Sequence, residues 1–237
     1  VATAAADAAI AGWPGIERWR AGALAGAPPA PLVKICGLTR PDIAAAAVAA
    51  GADMIGLVHF PPSPRHVPVA VAAEVADAAR GAILVALTVD ADDATLDALV
   101  EAVRPDALQL HGRETPARVR EIAARHRLLV AKAHGIAAAA DLASIGWDVL
   151  PVLDAKPPQD ASRPGGHGAA FDWTLLAALP AGRPYMLSGG LTPENVAAAV
   201  AATRPYAVDV SSGVERDGAK DPSRIAAFIA AAGAGRR

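Results

Sequence analysis

From Leu32 onward the chain alternates short runs rich in β-branched and large aliphatic residues with longer, alanine-rich amphipathic runs. The short runs at 32–36, 54–60, 82–89, 107–111, 128–134, 149–154, 185–188 and 207–211 predict strands. The longer ones near 41–50, 69–80, 94–104, 116–126, 137–145, 172–179, 193–203 and 222–232 predict helices. Strand–helix units in series, with no other kind of element between them, leave two α/β architectures: a doubly wound parallel sheet or a closed (β/α)8 TIM barrel. A count of eight units within about 200 residues favours the barrel.

Residues 1–31 break the pattern. Ala4–Ala11 and Ile16–Leu24 predict short helices, with Trp13 and Trp19 as docking anchors, and Ala27-Pro28-Pro29-Ala30-Pro31 predicts a stiff linker. The expected organisation is an N-terminal extension with a Pro-rich linker over 1–31 and a catalytic barrel over 32–237. The extension is expected to pack on the outside or to stay loose.

Alternation along each strand separates two faces. One set reads Ile35, Leu108, Leu110, Leu129, Ala131, Leu153, Leu187, Val208 and Val210, as a face packed against helices should. The other reads Lys34, Cys36, Gln109, His111, Lys132, His134, Asp154, Ser188, Asp209 and Ser211. A barrel interior filled only for packing prefers Val, Ile and Leu. Polar groups gathered at the C-terminal strand ends mark that mouth as a site.

Composition narrows the class. A net charge of -2 carries no footprint for nucleic acid or an anionic membrane surface. No apolar run reaches the ~18–20 residues of a membrane span, since Asp42, Asp53 and Asp77 interrupt the candidates. One cysteine permits no internal disulfide, and the first residues lack the basic and Leu-rich regions of a secretory signal, so a cytoplasmic protein is expected.

Two features carry candidate chemistry. Cys36 ends the first strand, beside Gly37; a lone thiol there is either reactive or simply buried. Two glycine turns, Ser188-Gly189-Gly190-Leu191 after the seventh strand and Ser211-Ser212-Gly213 after the eighth, lie where barrels of this kind bind phosphate. Thr192 reads as an N-cap with Pro193 at the first helical position. None of the six histidines forms an H-E-x-x-H pair, there is no Walker lysine motif, and no G-x-S-x-G elbow occurs.

The ordered motifs Lys34-Ile35-Cys36-Gly37-Leu38-Thr39, Gly51-Ala52-Asp53, Gly56-Leu57-Val58, Ser63-Pro64-Arg65-His66-Val67, Leu108-Gln109-Leu110-His111-Gly112, Leu153-Asp154, Gly165-Gly166-His167-Gly168, Phe171-Asp172-Trp173, Ser188-Gly189-Gly190-Leu191 and Asp209-Val210-Ser211-Ser212-Gly213-Val214-Glu215 resemble those of the phosphoribosylanthranilate isomerase family. The resemblance covers about residues 32–233 and implies a (β/α)8 barrel with no metal and no organic cofactor. It also implies an Amadori rearrangement of a phosphosugar–anthranilate substrate in tryptophan biosynthesis, by a monomer or homodimer. By matching position, Asp154 is the expected acid and Cys36 the base, with Lys34 as a helper to the thiol. Arg65 is expected to face the anthranilate carboxylate. Gly189, Gly190, Ser211, Ser212 and Gly213 are expected to hold phosphate, and the loop 157–170 to act as a lid. His111 and Asp209 are expected in supporting roles. Two departures stand out: residues 1–31 have no counterpart, and His167 replaces the expected Asn or Thr.

Two rivals are disfavoured. The histidine-pathway aminoaldose isomerase looks twofold repeated, with an aspartate at the end of its first strand, whereas this chain has Cys36 and no glycine-rich phosphate turn after strands three and four. A non-catalytic phosphosugar-binding barrel would have no use for both Cys36 and Asp154.

Overall fold

The computed structural model describes residues 10–143, 145–156 and 170–233. Eight parallel strands close into a barrel in sequence order: β1 (Leu32–Cys36), β2 (Met54–Val58), β3 (Ile83–Thr88), β4 (Ala107–Leu110), β5 (Leu129–Ile136), β6 (Leu150–Ala155), β7 (Met186–Leu187) and β8 (Ala207–Val210). Helices Pro41–Ala49, Val69–Ala78, Asp93–Val103, Pro116–His126, Ala139–Ala143, Val196–Thr203 and Pro222–Ala232 follow strands one to five, seven and eight, and a 3-10 helix, Trp173–Ala178, follows the sixth. A short hairpin that the sequence pattern did not predict, β9 (Glu215–Arg216) with β10 (Ala219–Lys220), rises after β8.

Local chemistry accounts for where helices begin. Thr115 caps the helix at Pro116 by accepting from the Arg118 amide, and Asp221 caps the last helix by accepting from Ser223 and Arg224. The helix after β7 begins at Val196 instead of Pro193; the intervening turn is held by Asn195, whose Oδ1 accepts from the Thr192 amide at 2.8 Å. No helix among the described residues is long and apolar enough to cross a membrane.

Apolar side chains form an outer layer between strands and helices, in which Ile35, Leu108, Leu110, Leu153, Leu187, Val208 and Val210 are all buried. Strand five departs from the predicted faces. Ala131 lies in the interior cluster with Met54, Val85 and Leu150, while Val130 and Ile136 join the helix-facing layer. By alternation Lys132 and His134 therefore face the helices, not the mouth. Lys132 is accommodated there by donating to the Gly112 carbonyl at 2.8 Å and pairing with Glu114 at 3.1 Å.

The extension behaves differently from the expected appendage. Ile10, Trp13, Ile16 and Trp19 are buried in one cluster with Met54, Val85, Ala107, Ala131, Leu150, Val152, Met186 and Ala207, the inward residues toward the N-terminal strand ends. The segment 10–19, running into the helix Ile16–Leu24, thus closes the end of the barrel opposite the polar mouth. Polar contacts fix its seat: Trp19 Nε1 donates to the Pro205 carbonyl at 3.1 Å, and the Tyr206 hydroxyl donates to the Pro14 carbonyl at 2.7 Å. At Gly12 the chain crosses Leu129 closely: a Cβ would stand 2.7 Å from its Cδ2 and would push that methyl aside.

Trp13 is 1% exposed within this cluster. Trp13→Ala is expected to cost about 3–5 kcal/mol in urea unfolding, the range for a buried tryptophan. A loss below about 1 kcal/mol, ordinary for a surface position, would show that the segment is not part of the core.

Candidate active site

Cys36 sits at the C-terminal end of β1, buried against Val58 and Leu87. Its neighbour on β2 is Gly56, where a Cβ would stand 2.9 Å from Cys36 Sγ, so the glycine makes room for the thiol. One turn below, Lys34 is fully buried and donates to Asp209 Oδ1 at 3.0 Å; Ser188 Oγ lies 3.4 Å from Asp209 Oδ2. Burial works to discharge Lys34, but Asp209 and the thiol outweigh it and raise its pKa, keeping the ammonium charged. Burial pushes the Cys36 thiol up; Lys34 and Lys220 pull it down, Asp209 adds to the push, and the balance is upward.

Asp154 points inward from β6, five strands on from β1 in one direction round the barrel and three in the other. Its Oδ1 accepts from the Ala155 amide at 2.8 Å, and its Oδ2 lies 3.5 Å from His111 Nε2. The Gln109 side-chain nitrogen stands 3.2 Å from His111 Nδ1. An amide N–H there makes Nδ1 an acceptor, which leaves the proton of a neutral imidazole on Nε2, facing Asp154.

The two glycine turns meet. A Cβ on Gly213 would stand 1.9 Å from the Leu191 carbonyl oxygen, so only glycine allows the turn after β8 to abut the turn after β7. Arg224 clasps both, donating to the Gly213 carbonyl and to Glu194. Gly189 and Gly190 have φ of 84° and 62°, and a Cβ on Gly189 would come within 2.8 Å of Asp154 Oδ1. Successive amides in such turns make a concavity suited to an anion.

Arg65, from the loop after β2, lies across Gly37, where a Cβ would stand 2.6 Å from its Cδ. Its guanidinium is held on two sides by Glu215: Nε donates to Oε1 at 2.6 Å and Nη2 to Oε2 at 2.8 Å. Lys220, cross-strand from Glu215 in the hairpin, donates to Glu215 Oε1 at 2.9 Å and to the Ser211 carbonyl and hydroxyl at 2.8 and 3.1 Å. Ser211 Oγ in turn donates to the Cys36 carbonyl at 3.1 Å. Burial pushes Glu215 up, but the Arg65 hydrogen bonds and the Lys220 charge overcome it and hold the carboxyl down at about 2.

The structure therefore brings Cys36, Asp154, His111, Asp209, Arg65 and both glycine turns to one mouth. Two assignments shift: Ser211 is engaged with Cys36 and Lys220, and Arg65 already has a carboxylate partner. His134 and Lys132 lie outside the group; burial, with Lys132 nearby, pushes His134 down to about 4. The expected lid over 157–170, with Gly165-Gly166-His167-Gly168, falls outside the described residues except for Ala170. Glu215 as a partner and Lys220 altogether escaped the sequence reading. A signal for them exists: Asp217-Gly218, both at positive φ, is the two-residue turn of a hairpin that pairs Glu215 with Lys220.

With this geometry in place, similarity to known proteins is informative. A family model for N-(5'phosphoribosyl)anthranilate (PRA) isomerase matches residues 33–231. An N-(5'-phosphoribosyl)anthranilate isomerase from Rhodopseudomonas palustris (strain BisA53) is 58% identical over 212 residues, 86% of this chain and 97% of its own. The crystal structure of phosphoribosyl anthranilate isomerase from Thermotoga maritima is similar with a TM-score of 0.78 at 37% identity, covering 85% of this chain and 98% of its own. A phosphoribosyl anthranilate isomerase crystallised in complex with reduced 1-(o-carboxyphenylamino)-1-deoxyribulose 5-phosphate is similar at a TM-score of 0.73 and 34% identity, with coverage of 85% and 98%.

The depressed pKa of Glu215 has a consequence for acid stability. A carboxyl whose folded pKa lies below its unfolded value stabilises the fold above the unfolded pKa and loses that contribution as pH falls through the folded one. The stability margin of the protein over its Glu215→Gln variant is therefore expected in full above about pH 4.5 and to vanish toward about pH 2. A margin independent of pH in urea unfolding would contradict this.

Proposed function

The chain belongs to the N-(5'-phosphoribosyl)anthranilate isomerase family, and from that premise we propose how its own residues divide the work. The reaction is the Amadori rearrangement of N-(5-phosphoribosyl)anthranilate to 1-(2-carboxyphenylamino)-1-deoxyribulose 5-phosphate, in tryptophan biosynthesis. The observation that carries the assignment is the convergence of a thiol, a carboxyl–imidazole pair and two abutting glycine turns on one mouth.

Asp154 is the acid. Its proton goes to the furanose ring oxygen, the C1–O bond breaks, and the anilino nitrogen lone pair forms the Schiff base. A protonated Asp154 needs an acceptor, and His111 Nε2 is placed to be one once its proton moves to Nδ1. A half-turn of the Gln109 amide then presents Oε1, which is buried and without a partner, to that Nδ1 proton. Cys36 is the base: its thiolate takes the C2 proton, and the C2–H electrons form the enolamine. Reprotonation at C1, with loss of the C2 hydroxyl proton, completes the ketone and balances the atoms.

Gly189, Gly190, Ser212 and Gly213 hold the phosphate through backbone amides, with Ser211 tying that turn to β1. Arg65 meets the aryl carboxylate with the guanidinium edge that Glu215 leaves free, Nη1. His111 and Asp209 support the acid and Lys34. All these groups come from a single chain, so a monomer suffices and a homodimer carries two such mouths. The unpaired thiol suits a reducing cytoplasm.

Cys36→Ser and Asp154→Asn are each expected to lower kcat by about 10²–10⁴-fold, the span of general acid–base catalysis. The substrate's fluorescence change follows turnover, and near-ultraviolet circular dichroism confirms folding. A well-folded variant that keeps most of the parent's turnover would remove the role from that residue.

A further inference from the structure

The reading of Cys36 as the base leaves an electrostatic problem. A thiol buried at the end of a strand holds its proton, yet only the thiolate can act. The charges that surround it come from every neighbouring element. Its own strand supplies Lys34; β8 supplies Asp209; the loop after β2 supplies Arg65; the hairpin after β8 supplies Glu215 and Lys220. His59 and His66 of the β2 loop stack on each other at 5.0 Å, and β2 itself offers only Gly56 and Val58.

These groups sort into two sets. Lys34 and Asp209 form a pair at 3.0 Å, one positive and one negative, so Asp209 opposes part of the lysine's help to the thiol. Lys34 thus helps the thiol, as expected, but not alone. Arg65, Glu215 and Lys220 form the other set, two cations sharing one carboxylate, with a net charge of +1.

We infer that Lys220 is a positioning residue for the base: seated on Ser211, it adds to Lys34 a second ammonium, part of a set of net charge +1, that stabilises the Cys36 thiolate. Its place is built. The side chain is 6% exposed and its ammonium is bonded to three oxygens, two of them on Ser211, whose hydroxyl reaches the Cys36 carbonyl. Burial works to discharge it and leaves its pKa below the ordinary lysine value, with Glu215 opposing, so the shared carboxylate is what limits that fall. Substrate makes the need sharper. An aryl carboxylate on Arg65 brings the four charges to zero with Lys220 present; without it they sum to -1, beside a thiol that must itself become negative.

The test does not require turnover. Cys36 is the sole cysteine, so thiolate absorbance of the full chain, blanked with Cys36→Ser, titrates this group alone. Lys220→Met is expected to move the midpoint up by about one pH unit, about tenfold less thiolate at a given pH, the scale for losing a nearby opposite charge. Glu215→Gln is expected to move it down, and Lys220→Arg to restore the parent value. The thiol-dependent limb of kcat/KM should shift in the same directions. A purely structural role for the hairpin would move both charge variants the same way, or neither, and either result would overturn the inference. Should Lys220→Met fail to fold, Lys220→Gln against Glu215→Gln gives the same contrast. Retention of turnover by Cys36→Ser would sink the base assignment alone, because the titration reads charge without chemistry.

Discussion

The register that sets Lys34 of β1 beside Asp209 of β8 closes the sheet and, with it, creates the mouth. Residues 175 apart in the chain become hydrogen-bonded neighbours inside the barrel. Burying two charges is expensive, and the pair gains little net stability over an apolar substitute. Its value lies in what it forbids. A one-residue slip would turn each strand's side chains to the opposite face, leave both charges buried without a partner, and cost several kcal/mol. The same register brings Ser211 to the Cys36 carbonyl. Correct closure and correct placement of the thiol are thus one event.

The barrel axis separates two tasks. Toward the N-terminal strand ends the interior is apolar and is sealed by the molecule's own residues 10–19, so that end contributes burial. Toward the C-terminal ends the interior carries Lys34, Gln109, Asp154, Ser188 and Asp209, and burial there is offset by desolvation. A plug of two tryptophans and two isoleucines at one end counterbalances polar residues at the other. Polar side chains at the mouth are kept there by function against the preference of the core.

What was legible in the sequence follows from which signals are local. The strand–helix repeat, the thiol at a strand tip and the paired glycines are patterns within a few residues, and the structure displays them where they were expected. Strand five was misread because polarity was taken as a sign of facing the mouth. Lys132 is polar and buried, but the carbonyls of β4 and its loop, with Glu114, satisfy it on the helix side, and the inward positions are Ala131, Ala133 and Gly135. The spacing of Ile10, Trp13, Ile16 and Trp19 shows an apolar stripe, but nothing local says whether a stripe meets the outside of a helix layer or an open barrel end. Lys220 gains its meaning only from a cross-strand partner and a turn brought near by closure, which no spacing rule encodes.

On the proposed assignment of Asp154 and Cys36, the mouth also resolves a conflict between acid and base. An acid must carry its proton into the reaction and a base must have lost one, yet both share one poorly screened space in which a stray charge acts at a distance. Around Asp154 the described neighbours are an imidazole, a side-chain amide beyond it, a backbone amide and a glycine that lets the turn after β7 approach. Around Cys36 they are ammonium and guanidinium groups with their carboxylates. The cations enter from β1, β8 and the loop after β2, adjoining strands of the barrel, while Asp154 and His111 project from β6 and the end of β4. In the proposed mechanism, keeping that cluster of charges over the thiol and away from Asp154 lets one barrel present a proton donor and a proton acceptor to the same sugar.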